Sequence, residues 1–356
     1  MLKFHTLAIS DRRVIADDAV AITFALPEAL RAEYRFRAGQ HLALRAEIDG
    51  REERRTYSIV NPEGAGALTI GVRVHGAGRM SPHLARVLQP GDRVDVMTPN
   101  GSFNTRARGR PRSCAAFASG SGITPVLSIA ATVLAREPAS RFQLYYGNTS
   151  TARTMFLEEV QALKDRFLPR FSVCFIMSRE PQDVALFNGR IDDARVREFA
   201  RHGLAIAEAD EFFICGPGTM ADEVQSALSS LGATGAVHVE HYTAAAGGEV
   251  VVAPVPLAPA AERAGSTEVT VIMDGRRRRF AMQPDEVILD AAGRAGLDLP
   301  FSCRAGVCST CRARLVSGSA TMEHNVALED WEVEAGYILC CQARPTSPAL
   351  EISYDE

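Results

Sequence analysis

The stretch Cys303-Arg-Ala-Gly-Val-Cys308-Ser-Thr-Cys311 decides the fold of the C-terminal part of this chain. Its spacing is C-x4-C-x2-C, and Cys341 follows after 29 intervening residues. Plant-type [2Fe–2S] centres take three thiolates from such a loop and the fourth from a distant cysteine. The spacing therefore predicts an iron–sulfur cluster held by the three loop cysteines and one of the adjacent pair Cys340 and Cys341. Spacing does not choose within that pair, because neighbouring side chains on a strand point in opposite directions.

A zinc site is the main alternative for these cysteines. Zinc ribbons favour paired C-x2-C motifs, and the four-residue gap between Cys303 and Cys308 fits them poorly. Ordinary core cysteines are a second alternative, but chance rarely produces four cysteines at this spacing. Of the other cysteines, we assign Cys114 and Cys174 to the core.

Length and composition bound the remaining classes of function. The 356 residues allow two or three domains. Hydrophobic residues make up 46% and charged residues 23%, which is typical of a globular protein and not of a disordered one. The net charge of −4 argues against a nucleic-acid partner, and no apolar run approaches the ~18–20 residues that span a bilayer. Because Met1–Asp11 lacks the apolar core of a signal peptide, we expect a cytoplasmic location and no membrane partner.

Two different patterns precede the cysteine-rich part. Residues 1–110 show short β-type runs separated by turn signals, which predicts a sandwich or barrel. Over residues 111–243 apolar runs alternate with helical stretches, which predicts βαβ units and a parallel sheet. The strands are expected at Ser113–Ala118, Phe142–Tyr146, Phe171–Met177 and Glu211–Cys215, and the helices at Pro125–Arg136, Ala152–Phe167, Arg190–Ala200 and Thr219–Leu231.

The C-terminal unit follows a break in composition. Residues 244–266 are rich in Ala, Pro and Gly and predict a semi-extended linker, because proline fixes φ and removes a hydrogen-bond donor. Residues 267–356 open with the hairpin signal Asp274-Gly275. This unit has nine Lys and Arg against fourteen Asp and Glu, so its net charge of −5 accounts for the acidity of the chain. The run Arg276–Arg279 is interpreted as an exposed strand face, with docking to an acidic partner as the alternative.

Two segments of the first unit can bind a flavin nucleotide. Arg55 and Tyr57 project to one face of a predicted strand, where Arg can pair with a pyrophosphate and Tyr can stack on a planar ring. Ser58 can hydrogen-bond the edge of that ring. The segment Gly78–Ser81 opens a predicted helix over Pro82–Leu88, whose first N–H groups suit an anion. Taken singly, an ordinary half-exposed strand and a Ser N-cap explain these residues equally well.

Three turns of the second unit can bind a nicotinamide nucleotide. The glycines of Gly120–Pro125 let phosphates approach the backbone between a strand and a helix. Cys215 ends the fourth strand, where ligands bind in such sheets, although a buried strand-end cysteine is the alternative. Ser178 and Arg179 follow the third strand and can hold a 2′-phosphate, which would favour NADPH over NADH. A solvated loop charge is the alternative for Arg179.

Taken in order, these motifs resemble the ferredoxin–NADP reductase-like family with a C-terminal plant-type ferredoxin domain. The resemblance covers nearly the whole chain. It implies four parts: an antiparallel β-barrel FAD domain over 1–110, an α/β parallel-sheet NAD(P) domain over 111–243, the linker over 244–266, and an α+β, β-grasp [2Fe–2S] ferredoxin domain over 267–356. The segments Tyr34–His41, Leu144–Asn148, Phe213–Pro217 and Met322–Glu329 are similar to the reductase subunits of ring-1,2-phenylacetyl-CoA epoxidases.

The resemblance also implies site residues. The FAD site would comprise Arg55, Tyr57, Ser58, Val72, Arg73, Val74, Gly78, Met80 and Ser81. The nicotinamide nucleotide site would comprise Gly120, Gly122, Thr124, Pro125, Cys215 and Gly216, with Ser178 and Arg179 at the 2′-phosphate. Glu240 and Tyr242 match a terminal Glu and aromatic residue beside the flavin, and the catalytic residues would be Ser58, Cys215 and Glu240. The metal ligands would be Cys303, Cys308, Cys311 and Cys341, because the family commonly places Gln after the fourth ligand.

The number of electrons that each cofactor transfers at a time sets the expected order of electron transfer. A nicotinamide gives up two electrons as a hydride, a [2Fe–2S] cluster accepts one electron at a time, and a flavin can do both. The implied path runs from NADPH or NADH through FAD and the cluster to an oxygenase component. The resemblance implies a di-iron oxygenase that epoxidises phenylacetyl-CoA in aerobic phenylacetate degradation. The alternatives are a reductase of a Rieske-type oxygenase or another hydroxylase, a zinc-stabilised regulatory module and a redox sensor.

Overall fold

The computed structural model describes residues 2–76, 78–105, 109–241, 267–283 and 285–355. Tyr242 and the predicted linker over 244–266 lie outside these ranges. The chain forms two compact units. Among the described residues, one unit comprises those within 4–53 and 57–241, and the other comprises 2–3, 54–56 and those within 267–355.

The first sheet is antiparallel and closes on itself. Its strands are β1 (Phe4–Ala16), β2 (Ala19–Ala25), β3 (His41–Ile48), β4 (Arg51–Ser58), β5 (Leu68–Arg73) and β6 (Arg93–Met97). They lie in the order β4-β3-β6-β1-β2-β5, and Ile22, Ile70 and Val96 belong to the buried core beneath them. An isolated antiparallel bridge joins Ile59, directly after β4, to Ile70 on β5. Because β4 and β5 are the two edges, this bridge closes the sheet as the predicted barrel requires.

The first helix begins earlier than the sequence predicts. α1 (Met80–Pro82) continues as a π-helix over His83–Val87, whereas the prediction was Pro82–Leu88. The Met80 side chain is buried in the barrel core. Ser81 lies within the helix and accepts a hydrogen bond at Oγ from the His75 backbone N–H at 3.0 Å, so it is not the N-cap.

The second sheet is parallel. Its strands are β7 (Ser113–Ser119), β8 (Arg141–Asn148), β9 (Phe171–Met177), β10 (Glu211–Gly216) and β11 (Ala236–His241), in the order β11-β10-β7-β8-β9. The helices are α2 (Ile123–Arg136), α3 (Leu157–Arg166), α4 (Asp193–Arg201) and α5 (Gly218–Ser230). The parallel register runs through every neighbouring pair, which confirms the predicted βαβ arrangement.

The predicted helix over Ala152–Phe167 is wrong in its first third. A 3-10 turn covers Thr151–Arg153, and the α-helix begins only at Leu157. Phe156 adopts the left-handed conformation, with φ of 55°, and its side chain is buried in the core. An α-helix cannot pass through a left-handed residue, so the buried position of Phe156 overrides the local helical pattern.

A buried ion network ties the amino ends of the parallel strands together. Arg112, directly before β7, donates from Nη1 to the Glu211 carboxylate at 3.0 Å and from Nη2 to the Glu137 carboxylate at 2.7 Å. The Arg112 and Glu211 side chains are only 1% and 3% exposed. Thr105 donates from its hydroxyl to Glu211 at 2.8 Å. The network therefore pairs each buried charge, and it lies at the opposite strand ends from the predicted nucleotide turns.

The C-terminal unit is an α+β fold. Its elements are β12 (Thr267–Met273), β13 (Arg276–Met282), α6 (Ile288–Arg294), β14 (Arg312–Ser317), β15 (Ala320–Met322), α7 (Asp330–Glu334), β16 (Tyr337–Leu339), β17 (Ala343–Pro345) and β18 (Ala349–Ser353). Five strands form one sheet in the order β13-β12-β18-β14-β16, and β15 pairs with β17. Asp274 and Gly275 have φ of 57° and 67°, which confirms the predicted hairpin turn. Arg276–Arg279 are exposed on the edge strand β13.

No helix in the ranges that the structure describes is both long and apolar enough to cross a membrane.

Candidate cofactor-binding sites

The predicted nucleotide turns meet at the carboxyl ends of β7 and β10. A Cβ atom placed on Gly122 would lie 2.0 Å from the Cys215 carbonyl oxygen, so only glycine permits this approach of the two turns. Gly120 has φ of 56°, and the Tyr146 hydroxyl donates to its carbonyl oxygen at 3.0 Å. Two turns that approach each other this closely, with glycine in place of a side chain, leave their backbone open to the pyrophosphate of a dinucleotide. The residues therefore fit a nicotinamide nucleotide.

Side chains of α2 and β5 hydrogen-bond the segments around this site. Thr124 and Pro125 are buried, and Thr124 donates from Oγ1 to the Ser121 carbonyl oxygen at 2.9 Å. Arg73, at the end of β5, donates from Nη2 to the Arg153 carbonyl oxygen at 2.6 Å. Its Nε lies 3.7 Å from Asp18 Oδ1. The Arg73 side chain thus connects the predicted flavin strand with the loop that follows β8.

Three predicted catalytic residues come together beside this turn. Cys215 and Glu240 are register partners on the neighbouring strands β10 and β11, and Cys215 Sγ donates to Glu240 Oε2 at 3.6 Å. The Ser58 hydroxyl, from β4, hydrogen-bonds the same carboxylate. Burial raises the pKa of Glu240 to about 7, because water no longer solvates the charged form. At neutral pH Glu240 can therefore hold or release a proton next to Cys215 and Ser58.

His41 is a neighbour of this carboxylate that sequence reasoning missed. Its Nδ1 lies 3.9 Å from Glu240 Oε1, and burial lowers the pKa of His41 to about 4, so the ring is neutral at physiological pH. The ring packs against Gly101, where a Cβ would lie 2.9 Å from Nδ1. Gly101 has φ of 118°, which only glycine adopts readily. Asn100-Gly101 is a dipeptide typical of turns, but only the fold places this turn against His41.

The predicted 2′-phosphate pair lies in the loop after β9. The backbone N–H groups of Ser178 and Arg179 donate to the carbonyl oxygens of Asn148 and Thr149 at the end of β8, each at 2.9 Å, and the Arg179 side chain is exposed. Glu180 accepts from the Thr151 N–H at 2.7 Å and from its hydroxyl at 2.6 Å. These bonds lower the pKa of Glu180 and hold its charge against Thr151. Glu180 is therefore held in place by hydrogen bonds, whereas the side chain of Arg179 faces solvent.

The remaining predicted flavin residues are distributed over β4, β5 and the loop before α1. Arg55 and Tyr57 are half-buried on β4, and Tyr57 packs against the barrel core. Val72 is fully buried on β5, and Val74 follows it. Gly78 donates its backbone N–H to the His75 carbonyl oxygen at 2.9 Å. A guanidinium, a phenol ring and a hydroxyl at Ser58 are donors and stacking groups of the kind that a flavin nucleotide needs.

The four predicted cluster cysteines form two pairs. Cys303 and Cys308 share a side-chain hydrogen bond, and so do Cys311 and Cys341. No three His, Cys, Asp or Glu side chains of the described ranges are grouped as ligands of a single metal ion. Backbone donors face the sulfurs: the Cys303 N–H lies 3.5 Å from Cys308 Sγ, and the Ala305 N–H lies 3.3 Å from Cys303 Sγ. Two thiol pairs with backbone donors fit a cluster of two irons and stabilise thiolates.

The structure distinguishes Cys340 from Cys341. Cys341 accepts a hydrogen bond at Sγ from the Gln342 amide at 3.7 Å and lies beside Cys311. Cys340 is fully buried and hydrogen-bonds Tyr354 instead. Burial raises the pKa of Cys340 to about 12, so it remains a neutral thiol. Of the other cysteines, which were predicted to lie in the core, Cys114 is buried in one core cluster of the parallel-sheet part and Cys174 is partly buried against another.

Family models match three parts of the chain. The model described as oxidoreductase FAD-binding domain matches residues 6–105, and oxidoreductase NAD-binding domain matches residues 117–226. The 2Fe-2S iron-sulfur cluster binding domain matches residues 271–346. The matches follow the barrel, the parallel sheet and the C-terminal unit in that order.

Similar proteins match nearly the whole length of this chain. One of the subunits of 1,2-phenylacetyl-CoA epoxidase from Escherichia coli (strain K12) is 38% identical over 100% of this chain and 99% of its own length. The ferredoxin reductase component of 3-ketosteroid-9-alpha-monooxygenase from Rhodococcus rhodochrous is 30% identical over 95% of this chain and 93% of its own. The solved structure of phthalate dioxygenase reductase covers 98% of both chains with a TM-score of 0.59 and 25% identity.

Proposed function

Because the chain belongs to the family of FAD- and NAD-binding oxidoreductases that carry a 2Fe-2S domain, we propose that it is the reductase component of a phenylacetyl-CoA epoxidase. The E. coli epoxidase protein matches all three parts of the chain at 38% identity, and this match carries the proposal. The chain would deliver electrons from NADPH to a protein oxygenase component and would not bind phenylacetyl-CoA itself. The proposed location is the cytoplasm.

We assign the cofactors to the domains and residues described above. The FAD domain is placed over 1–110, the NAD(P) domain over 111–243 and the ferredoxin domain over 267–356, with 244–266 as the connection. The bound flavin accepts a hydride and releases single electrons. Glu240, with Ser58 and Cys215, holds a proton beside the nicotinamide turn, which the contact at 3.6 Å between Cys215 and Glu240 supports. The two thiol pairs, Cys303 with Cys308 and Cys311 with Cys341, would hold the cluster.

NADPH is the proposed nucleotide. The exposed Arg179 guanidinium supports this choice, because Arg presents several donors to a phosphate. The neighbouring carboxylate of Glu180 is held by two hydrogen bonds from Thr151, which direct it toward Thr151.

A reductase of another multicomponent oxygenase is the second candidate. The 30% identity to the 3-ketosteroid-9-alpha-monooxygenase component over 95% of the chain favours it. The two candidates share all three cofactors and differ only in the protein that receives the electrons.

Reconstitution with candidate oxygenases tests the proposal. The purified chain is mixed with the remaining epoxidase subunits from its own organism, and phenylacetyl-CoA-dependent NADPH oxidation and product are measured. We expect turnover that requires the chain, and Cys308→Ser abolishes it while ferricyanide reduction by NADPH continues. Turnover only with a different oxygenase would move the assignment to the second candidate. A colourless, zinc-containing protein would end the redox interpretation.

A further inference from the structure

Helix α7 exposes its apolar residues and buries an acid. Glu332 is 0% exposed, whereas Trp331 is 55% exposed and Val333 41%. A surface helix ordinarily buries its apolar face and leaves its charges in water. Trp331 is also the single tryptophan of the chain. In α7 the usual arrangement is therefore inverted, because the apolar side chains face solvent and the carboxylate of Glu332 is buried.

An ion pair between the buried Glu332 and the partly buried Arg312 holds α7 in this orientation. Glu332 Oε1 lies 2.9 Å from Nε of Arg312, whose guanidinium is 3.6 Å from the centre of the Tyr337 ring. Glu332 also accepts from the Glu329 backbone N–H at 3.1 Å, as one half of a capping box. A rotation that buried Trp331 would pull Glu332 away from Arg312 and break the capping box, so both interactions oppose that rotation. The exposure of Trp331 is thus built into the fold.

The helix and the segment that leads into it are both joined to the region of the cysteine loop. Arg312, which pairs with Glu332, directly follows Cys311. The backbone N–H groups of Val326 and Ala327 donate to the Gly306 carbonyl oxygen at 3.1 and 3.0 Å. Gly306 lies between Cys303 and Cys308 in the loop. A protein that covers Trp331 would therefore lie next to the residues proposed to hold the cluster.

Acidic residues surround the exposed tryptophan. Glu329, Asp330 and Glu334 are its neighbours along α7, and the Trp331 indole N–H donates to Glu329 Oε2 at 2.6 Å. The unit as a whole carries a net charge of −5. Tryptophan is enriched among the few residues that dominate binding energy, and a charged rim steers a partner of opposite sign.

We infer that α7 is the docking surface for the protein electron acceptor, with Trp331 as its anchor. The inference rests on the proposed function, since it needs an oxygenase component that receives electrons. The fitting surface on that acceptor is an apolar pocket rimmed by Lys and Arg, because it must accept an indole and face the carboxylates of α7.

Acceptor kinetics test this inference with a matched control. Trp331→Ala is compared with Val316→Ala, which truncates another exposed apolar residue of the same unit (45% exposed) outside α7. The rate of epoxidase turnover is measured against the concentration of the oxygenase component from the chain's own organism. We expect Trp331→Ala to raise the KM for that component at least tenfold with kcat unchanged, and Val316→Ala to stay within about twofold. Ferricyanide reduction and cluster absorbance should match the wild type in both variants.

A spectroscopic measurement gives an independent readout. Because the chain has one tryptophan, 5-fluorotryptophan labelling places a single fluorine resonance at Trp331. We expect this line to shift or broaden when the unlabelled oxygenase component is added and to stay in place when the labelled chain alone is concentrated tenfold.

The outcomes separate the inference from the proposed function. Wild-type turnover with equal KM values in Trp331→Ala and Val316→Ala would overturn the docking surface and leave the proposed function intact. A line that moves when the chain alone is concentrated would assign α7 to a second copy and overturn the inference. Ferricyanide reduction without delivery to any oxygenase would overturn both.

Discussion

Gly122→Ala is the sharpest test of the contact between the two nucleotide turns. The added Cβ would lie 2.0 Å from the carbonyl oxygen of Cys215 and 2.6 Å from its carbonyl carbon. Ordinary van der Waals contact begins at 3.4 Å, so the backbone of the two turns must separate by about 1.4 Å. Gly122 has φ of −59°, which alanine adopts without strain, and the clash is therefore the whole effect.

The loss of stability in Gly122→Ala should be large because the added Cβ meets the backbone carbonyl of Cys215. Overpacking costs about 1–3 kcal/mol, and the upper end applies at Gly122 because backbone, unlike a side chain, cannot rotate away. At roughly 2–4 °C per kcal/mol, a unit of this size loses about 6–12 °C in Tm. A displacement of about 1 Å in a site that orients two reactants can lower the rate by about 100-fold. We therefore expect a comparable loss in the rate of flavin reduction by NADPH.

Gly218→Ala is the matched control. A Cβ at Gly218 would find its nearest neighbour, the His241 ring, at 4.0 Å, so the same chemical change meets open space at the start of α5. The assays are calorimetry of the FAD-loaded chain and stopped-flow bleaching of the flavin. Gly218→Ala should stay within about 0.5 kcal/mol of the wild type. If Gly122→Ala matched Gly218→Ala in both assays, the close approach of the two turns would be refuted.

Three further predictions concern single side chains. The pKa of Glu240, raised to about 7, means that its contribution to stability is present at low pH and is lost as pH rises through 7. Relative to Glu240→Gln, the free energy of unfolding of the wild type should fall by about 2 kcal/mol between pH 5 and pH 8. Full burial would give a larger fall, but 17% of the side chain is exposed. If denaturant unfolding gave the same free-energy difference between the two proteins at both pH values, the prediction would be wrong. Cys341→Ser should abolish the visible absorbance of the cluster while Cys340→Ser retains it, and the reverse result would exchange their roles. Arg179→Ala should weaken NADPH at least tenfold more than NADH in flavin-reduction titrations, and equal losses would make Arg179 an ordinary surface charge.

Local signals in the sequence were sufficient for the order of the three domains. The C-x4-C-x2-C loop, the alternation of strands and helices over 111–243 and the turn at Asp274-Gly275 each depend on neighbouring residues only. The comparisons confirm the FAD, NAD and 2Fe-2S parts, and the structure confirms the antiparallel and parallel sheets. Boundaries failed where a distant contact decided the backbone, as at Phe156, whose burial delays the start of the predicted helix.

For the site, the sequence predicts the residues that belong to motifs but not the contacts between residues that are distant in the sequence. Cys215 was expected beside a nicotinamide and Ser58 beside a flavin, but the contact of Cys215 with Glu240 depends on the register of β10 and β11. His41 carries no local signal, because it reaches Glu240 from a different sheet. Spacing left Cys340 and Cys341 open, and the partners of each thiol, Tyr354 and Cys311, lie far away in the sequence. Trp331 was missed because its exposure depends on the ion pair between Glu332 and Arg312.

The ion network around Arg112 has a consequence for how nucleotide preference can change. It fastens the amino ends of β7 and β10, whereas Gly122, Cys215 and Arg179 lie at the carboxyl ends of the parallel strands. Selection can therefore alter the loops that contact a nucleotide without loosening the framework that carries them. A library randomised at 178–180 should yield mostly folded proteins with varied preferences, whereas the same effort at Arg112 and Glu211 should yield mostly unfolded ones. The two ends of one sheet thus evolve under separate constraints.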